Sequence, residues 1–189
     1  MNKKQFDLIK KRYGHYASWA IWAEEGDKPK SNMGDLSIFE DKNILSHLNP
    51  NIILAGLNIS KRDELNRPFE NFHGPLGGAY KIRYAFKNSP YWGGYMTDVI
   101  KDFAEKASKK MMNYLKEDKI FEKENINSFL KELEDLESNN PIIIAFGNDA
   151  YSVLIRNLKN SYNIKKVPHY STYMSKEKYR EEVKSILKF

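Results

Sequence analysis

Apolar residues are distributed along this chain in two ways, spaced and continuous. Near the start they are spaced: Phe6, Leu8, Ile9, Tyr13, Tyr16, Trp19, Ala20 and Trp22 recur at roughly helical intervals. That spacing predicts a first helix of about five turns with a bulky aromatic face turned to the core. Residues 24–34 are polar and broken by Gly26, Pro29 and Gly34, which marks a loop. Residues 36–48 are weakly periodic and predict a short helix. Residues 51–58 then form a near-continuous apolar run, as expected of a strand covered on both faces. Residues 59–92 hold Pro68, Gly74, Pro75, Gly77, Gly78 and Pro90. An irregular stretch of that length inside a compact domain is usually either functional or a misassigned element, and helical turns are expected to break it around 80–86.

The second half repeats the alternation. Residues 95–100, 141–146 and, more weakly, 164–167 predict strands. Residues 103–115 and 126–136 predict amphipathic helices. Gly147 ends the third strand, and Asn148 or Asp149 is placed to cap a helix over 150–158. Ser175 is placed to cap the last helix, with Glu177 in its first turn. Strands alternating with helices predict an α/β fold with a mainly parallel sheet of four strands. No repeat or linker is visible, so residues 1–189 are expected to form a single domain. In such sheets the site lies beyond the carboxyl ends of the strands. Asn58, Asp98, Gly147 and His169 all fall there.

Composition narrows the chemistry. Among 189 residues there is no cysteine. That excludes a disulfide framework, a thiol nucleophile, an iron–sulfur cluster and a cysteine zinc site. No run approaches the roughly 20 apolar residues of a membrane span, and no apolar signal core follows the basic N-terminus. A soluble, cytoplasmic protein without a membrane partner is expected, most simply a monomer. The 31 Lys and Arg against 25 Asp and Glu leave a net charge of +6, which permits a polyanionic partner without requiring one. Walker-type phosphate loops, dinucleotide glycine fingerprints, His-Glu-x-x-His pairs and serine elbows are all missing.

What remains is a set of polar and aromatic residues in a fixed order. Gly56-Leu57-Asn58-Ile59-Ser60 follows the first continuous strand. Phe69-Glu-Asn-Phe72-His73 lies in the long loop. Asp98 sits on the next strand, and His169-Tyr-Ser171 follows the last. In this order the chain resembles the uracil-DNA glycosylase superfamily over about residues 51–173. The resemblance implies a three-layer α/β/α sandwich and a metal-free, cofactor-free hydrolysis of the N-glycosidic bond of a damaged or deaminated base flipped out of DNA. It likens Gly56-Leu57-Asn58 to the first family motif in its Asn version, with Asn58 holding the attacking water. An amide orients water but does not remove its proton. It likens His169 to the second-motif His, a donor to the departing base, with Ser171 beside it. It makes Phe69 or Phe72 the stacking floor, where stacking contributes roughly 1–3 kcal/mol per base.

The chain also departs from that pattern. Ile59-Ser60 and Tyr170 stand where the family carries proline-containing motifs. Asp98 stands where the family reads the base with Asn, and an ionised Asp only accepts hydrogen bonds. It mismatches the O4 of uracil and suits adjacent donors, unless burial keeps it protonated. Lys61, Arg62, Lys81, Arg83 and Lys87 flank the expected mouth, and Tyr173 or Met174 is placed to wedge into a duplex. Each position has a packing reading too. Asn58 suits a turn, Asp98 a helix cap, His169 and His73 a satisfied interior, and Phe69 and Phe72 a core. The alternatives to a glycosylase are a non-catalytic nucleic-acid-binding member of the fold and a hydrolase of small nucleosides or nucleotides.

Overall fold

A computed structural model of the chain describes residues 1–59, 65–74, 77–101 and 103–189. The first helix, α1 (Lys3–Tyr13), is shorter than its spacing predicts. Asn2 caps it by accepting from Gln5 N at 2.9 Å. Past Gly14 the chain turns into a two-residue strand, β1 (Ser18–Trp19). The reason is visible in burial: residues 17–22 are all buried, leaving no polar face for a helix to show to water. The predicted 36–48 helix is two short 3₁₀ turns, Ser37–Glu40 and Lys42–Ser46.

The remaining elements are β2 (Asn49–Asn58), α2 (Tyr80–Phe86), β3 (Gly94–Ile100), α3 (Ser108–Glu117) and α4 (Lys119–Asp135). After them come β4 (Ile142–Phe146), α5 (Gly147–Leu158), β5 (Asn163–Val167) and α6 (Lys176–Leu187). The sheet has five strands in the order β1-β3-β2-β4-β5. Four run parallel, as the alternation predicts, and β1 adds an antiparallel edge through Ser18 opposite Met96 and Trp19 opposite Tyr95. The expectation of four strands is corrected by this fifth one.

Helices cover both faces, which is compatible with three layers. Ile53, Ala55 and Leu57 of β2 pack toward α1, α4 and α5. Ile52 and Leu54 point the other way, to Ile82 and Phe86 of α2 and Tyr179 and Val183 of α6. That alternation is the period of two along a strand. β2 and β4 are the near-continuous apolar strands because both faces are covered.

Two helix starts differ from the periodicity, each for a local reason. α3 begins at Ser108 rather than 103, because the Phe103 and Glu105 carbonyls accept from the Asn58 amide instead of opening a helix. α4 begins at Lys119 rather than 126. Its first turns bury Glu122 and Asn125, polar residues that break the apolar pattern. Glu122 accepts from Arg156 Nε and Nη2 at 2.6 Å each, which ties α4 to α5. The helix after β4 starts at Gly147, with neither Asn148 nor Asp149 as its cap. Ser175 does cap α6, accepting from Lys178 N at 3.1 Å. Among the described residues no helix is long and apolar enough to cross a membrane.

Candidate functional site

Parallel pairing sets Gly56 of β2 beside Asp98 of β3, and Asn58 beside Ile100. Across β2, Ala55 pairs with Ala145 of β4, and Phe146 pairs with Val167 of β5. The carboxyl ends of all four parallel strands therefore share one edge, and Asn58, Asp98, Gly147 and His169 stand along it.

Asp98 is 5% exposed. It does not cap a helix. Its Oδ2 accepts from Asn71 Nδ2 at 3.2 Å. Its Oδ1 lies over Gly56, where a Cβ would sit 2.2 Å from that oxygen and 3.8 Å from Phe72 Cε1. Only glycine admits that approach. Burial raises the Asp98 pKa to about 6, against the opposing pull of Asn71 and Lys101.

The long loop delivers Asn71 and Phe72 by a tight path. Glu70 accepts from the backbone N–H groups of Asn66 and Arg67 at 2.8 and 3.0 Å. Phe69 and Phe72 both adopt positive φ, 66° and 67°, a conformation bulky residues rarely take. Asn71 also donates to Tyr16 O at 2.5 Å, and its Oδ1 accepts from Phe72 N at 3.1 Å. The two phenylalanines then separate. Phe72 is buried in the cluster of α2 and α6 on one face of the sheet, with its ring beside Asp98 and Gly56 and 6.5 Å from that of Tyr170. Phe69 is fully buried between Phe6 and Phe39, with ring centroids at 5.4 and 5.0 Å. It belongs to the core, not to the edge where Asp98 lies. His73 is buried too. Its Nε2 lies 3.2 Å from Trp19 O, and burial lowers its pKa to about 3.

Asn58 is half-buried. Its Nδ2 donates to the carbonyls of Ile59, Phe103 and Glu105 at 3.1, 3.2 and 2.7 Å. The amide nitrogen thus latches the segment after β3, and Oδ1 takes no part in those bonds. Leu57 is buried on the opposite face, among the α1, α4 and α5 residues.

His169 packs against Gly147, whose φ is 85° and whose Cβ, if it had one, would lie 3.1 Å from the His169 Cβ. Ser171 N donates to His169 Nδ1 at 3.2 Å, and Ser171 Oγ lies 2.7 Å from the same nitrogen. A backbone N–H cannot accept, so Nδ1 is the acceptor and the ring proton sits on Nε2. Burial lowers the His169 pKa, with Asp149 opposing. The imidazole is then a neutral Nε2–H donor. Its ring stacks on Tyr170 at 4.4 Å, and Tyr170 meets Phe146 edge-on at 5.3 Å.

The cations expected at the mouth are largely engaged elsewhere. Lys61 and Arg62, with Ser60, lie outside the described residues. Arg83 is 1% exposed and donates to the carbonyls of Ala23, Pro29 and Ser31. Lys81 donates to Thr172 O at 2.7 Å, and Lys87 pairs with Glu24 at 2.5 Å. These three are structural ties between loops. Tyr173 is fully exposed, whereas Met174 is half-buried against the α2–α6 cluster. Among the described residues, no three His, Asp or Glu side chains gather to hold a metal ion.

The sequence reading missed Asn71, Tyr170 and Lys101. Lys101 donates to the Asp98 carbonyl at 2.5 Å and pairs with buried Glu132 at 2.6 Å. An Asn between aromatics in a Pro/Gly-rich loop is the sole sequence signal for Asn71. Nothing local marks its long-range pairing. No protein-family model, curated protein or solved structure matches this chain.

Proposed function

We propose that this chain is a DNA glycosylase-like hydrolase with a uracil-DNA glycosylase-like fold, acting on a damaged or deaminated base flipped out of DNA. The observation that carries the reading is the meeting of Asp98 and Phe72 over Gly56, on the same sheet edge as His169. Phe72 offers a stacking face and Asp98 a polar contact to the base edge. In the reaction a water oxygen bonds to the sugar carbon as the carbon–nitrogen bond breaks. The bonding electrons leave with the base, and His169 Nε2–H donates a hydrogen bond to it. Asn58 Oδ1 orients the water, whose proton passes to solvent. Asp98 is 5% exposed, so a base reaches it only when side chains around it shift.

One observation favours a second reading, hydrolysis of a small nucleoside or nucleotide. Lys81, Arg83 and Lys87 are all bound within the chain rather than facing a phosphate backbone.

The test uses matched single- and double-stranded oligonucleotides carrying one uracil, hypoxanthine, xanthine or oxidised base, followed by cleavage at abasic sites. Product from the wild type that falls by about 10²-fold or more in Asn58→Ala and His169→Ala supports the glycosylase reading. Release of base from free nucleosides alone supports the second reading. No product from either substrate class rejects both.

A further inference from the structure

Among the described residues, one oxygen of Asp98 has no hydrogen-bond donor. Oδ2 accepts from Asn71, but among the described residues no hydrogen bond reaches Oδ1. Oδ1 is not one of the fully buried atoms without a partner, so it keeps a small contact with solvent through which a ligand donor can reach it. Oδ1 is held in place. Asn71 commits both its amide protons, one to Tyr16 O and one to Asp98, so the carboxylate cannot swing freely. The absence of a side chain at Gly56 lets Oδ1 sit against the β2 backbone, with the Phe72 ring beside it.

Oδ1 and the second lone pair of Oδ2 present two adjacent acceptors and no donor. Base edges can be sorted against that pattern. Uracil flanks its ring N–H with two carbonyls, so one carbonyl must face the carboxylate. Hypoxanthine offers a ring N–H without an amine and fills one acceptor. A guanine-type edge sets a ring N–H beside an exocyclic amine and fills both.

We propose that the Asp98 site selects a guanine-type base, one presenting a ring N–H next to an exocyclic amine. The inference rests on the reading of this edge as a nucleobase site and supplies its substrate class: a modified guanine, such as one oxidised on its five-membered ring.

The groups that face Asp98 are Asn71 from the long loop, Lys101 from the end of β3, Glu132 from α4 and Tyr170 from the β5–α6 connection. Among them burial dominates, and the carboxyl titrates at about 6. Accepting from two donors needs the ionised form. Recognition therefore strengthens as pH rises through about 6, whereas a protonated Asp98 donating to a carbonyl would show the reverse.

The experiment measures binding and base release on one single-stranded oligonucleotide carrying guanine, 8-oxoguanine, hypoxanthine or uracil at a single position. It is run at pH 5 and pH 7.5, on the wild type and Asp98→Asn. The expected result at pH 7.5 is about tenfold tighter binding of the two guanine-type bases than of hypoxanthine. That preference should shrink at pH 5 and shift toward uracil in Asp98→Asn. Equal binding of guanine and hypoxanthine, a preference for uracil, tighter binding at pH 5, or no base-dependent binding overturns the inference. The wild-type pH comparison decides even if Asp98→Asn fails to fold. Guanine-selective binding without base release sinks the catalytic reading and leaves this one standing. Efficient release of uracil or hypoxanthine does the opposite.

Discussion

Asn58 shows how one side chain can serve structure and chemistry with different atoms. Its two amide protons are shared among three backbone carbonyls, and its oxygen takes no part in those bonds. Replacement by Asp keeps the oxygen but turns the nitrogen's three acceptors against a second acceptor. Asn58→Asp should therefore lose about 1–3 kcal/mol of stability in denaturant unfolding. Two of the buried titratable residues, His73 and Asp98, make opposite contributions to pH dependence. His73 has a folded pKa of about 3 against an ordinary 6.5, so the unfolded chain binds the extra proton. Its contribution is complete above about 6.5 and is lost as pH falls toward 3, at up to about 1.4 kcal/mol per pH unit. Asp98 is raised from 3.8 to about 6, so it favours the folded state on acidification between those values. Chemical unfolding followed from pH 7 to pH 4 should show a steeper acid loss in Asp98→Asn than in the wild type, and a shallower one in His73→Phe. These residue-level properties were not legible in the sequence. His73 reads as structural from its surroundings, but nothing local separates Phe69, which packs between Phe6 and Phe39, from Phe72, which packs on the other face of the sheet beside Asp98.

At the scale of elements, the strands were the legible part. β2 and β4 are near-continuous apolar runs because the sheet is covered on both faces there, β3 and the edge strand β5 are more polar, and each of the four lies within a residue or two of its predicted bounds. β1 was hidden, since its aromatic residues recur at helical spacing and it pairs over only two residues. Helix starts were hidden wherever a buried polar group broke the pattern, as Glu122 and Asn125 do in α4. The strongest such group joins β3 to α4. Glu132 is fully buried, pairs with Lys101, and accepts from Tyr95 OH and Thr97 Oγ1 at 2.7 and 2.9 Å. Lys101 also lies over the Phe129 ring at 5.3 Å. Removing one partner leaves an unpaired buried charge. Lys101→Met should lose about 3–5 kcal/mol, and the double variant with Glu132→Gln should recover part of it. Thermal unfolding of the set measures the coupling. Full additivity would mean that the pair does not act as a unit.

For the molecule as a whole, the alternation of strands and helices predicted the α/β architecture, and the predicted strand ends placed Asn58, Asp98, Gly147 and His169 along one edge. The charge excess was less informative. A +6 surplus invited a broad phosphate-binding face, but the side chains named for it largely tie loops together. If Lys61 and Arg62 are the principal phosphate contacts, the slope of log binding constant against log salt should be about −1.4 on a single strand. A much steeper slope would place further lysines on the nucleic acid. Sheet topology also has a consequence for biosynthesis. β2 occupies the centre, and its neighbour β4 is separated from it by the intervening β3, α3 and α4. A nascent chain that has emerged only as far as α4 can pair β2 with β3, yet its most apolar strand still exposes an open edge. That edge is a template for association with other chains until Ile142–Phe146 docks. A fragment truncated before Pro141 should accumulate in the insoluble fraction, and the intact chain should depend on chaperones during synthesis more than after it.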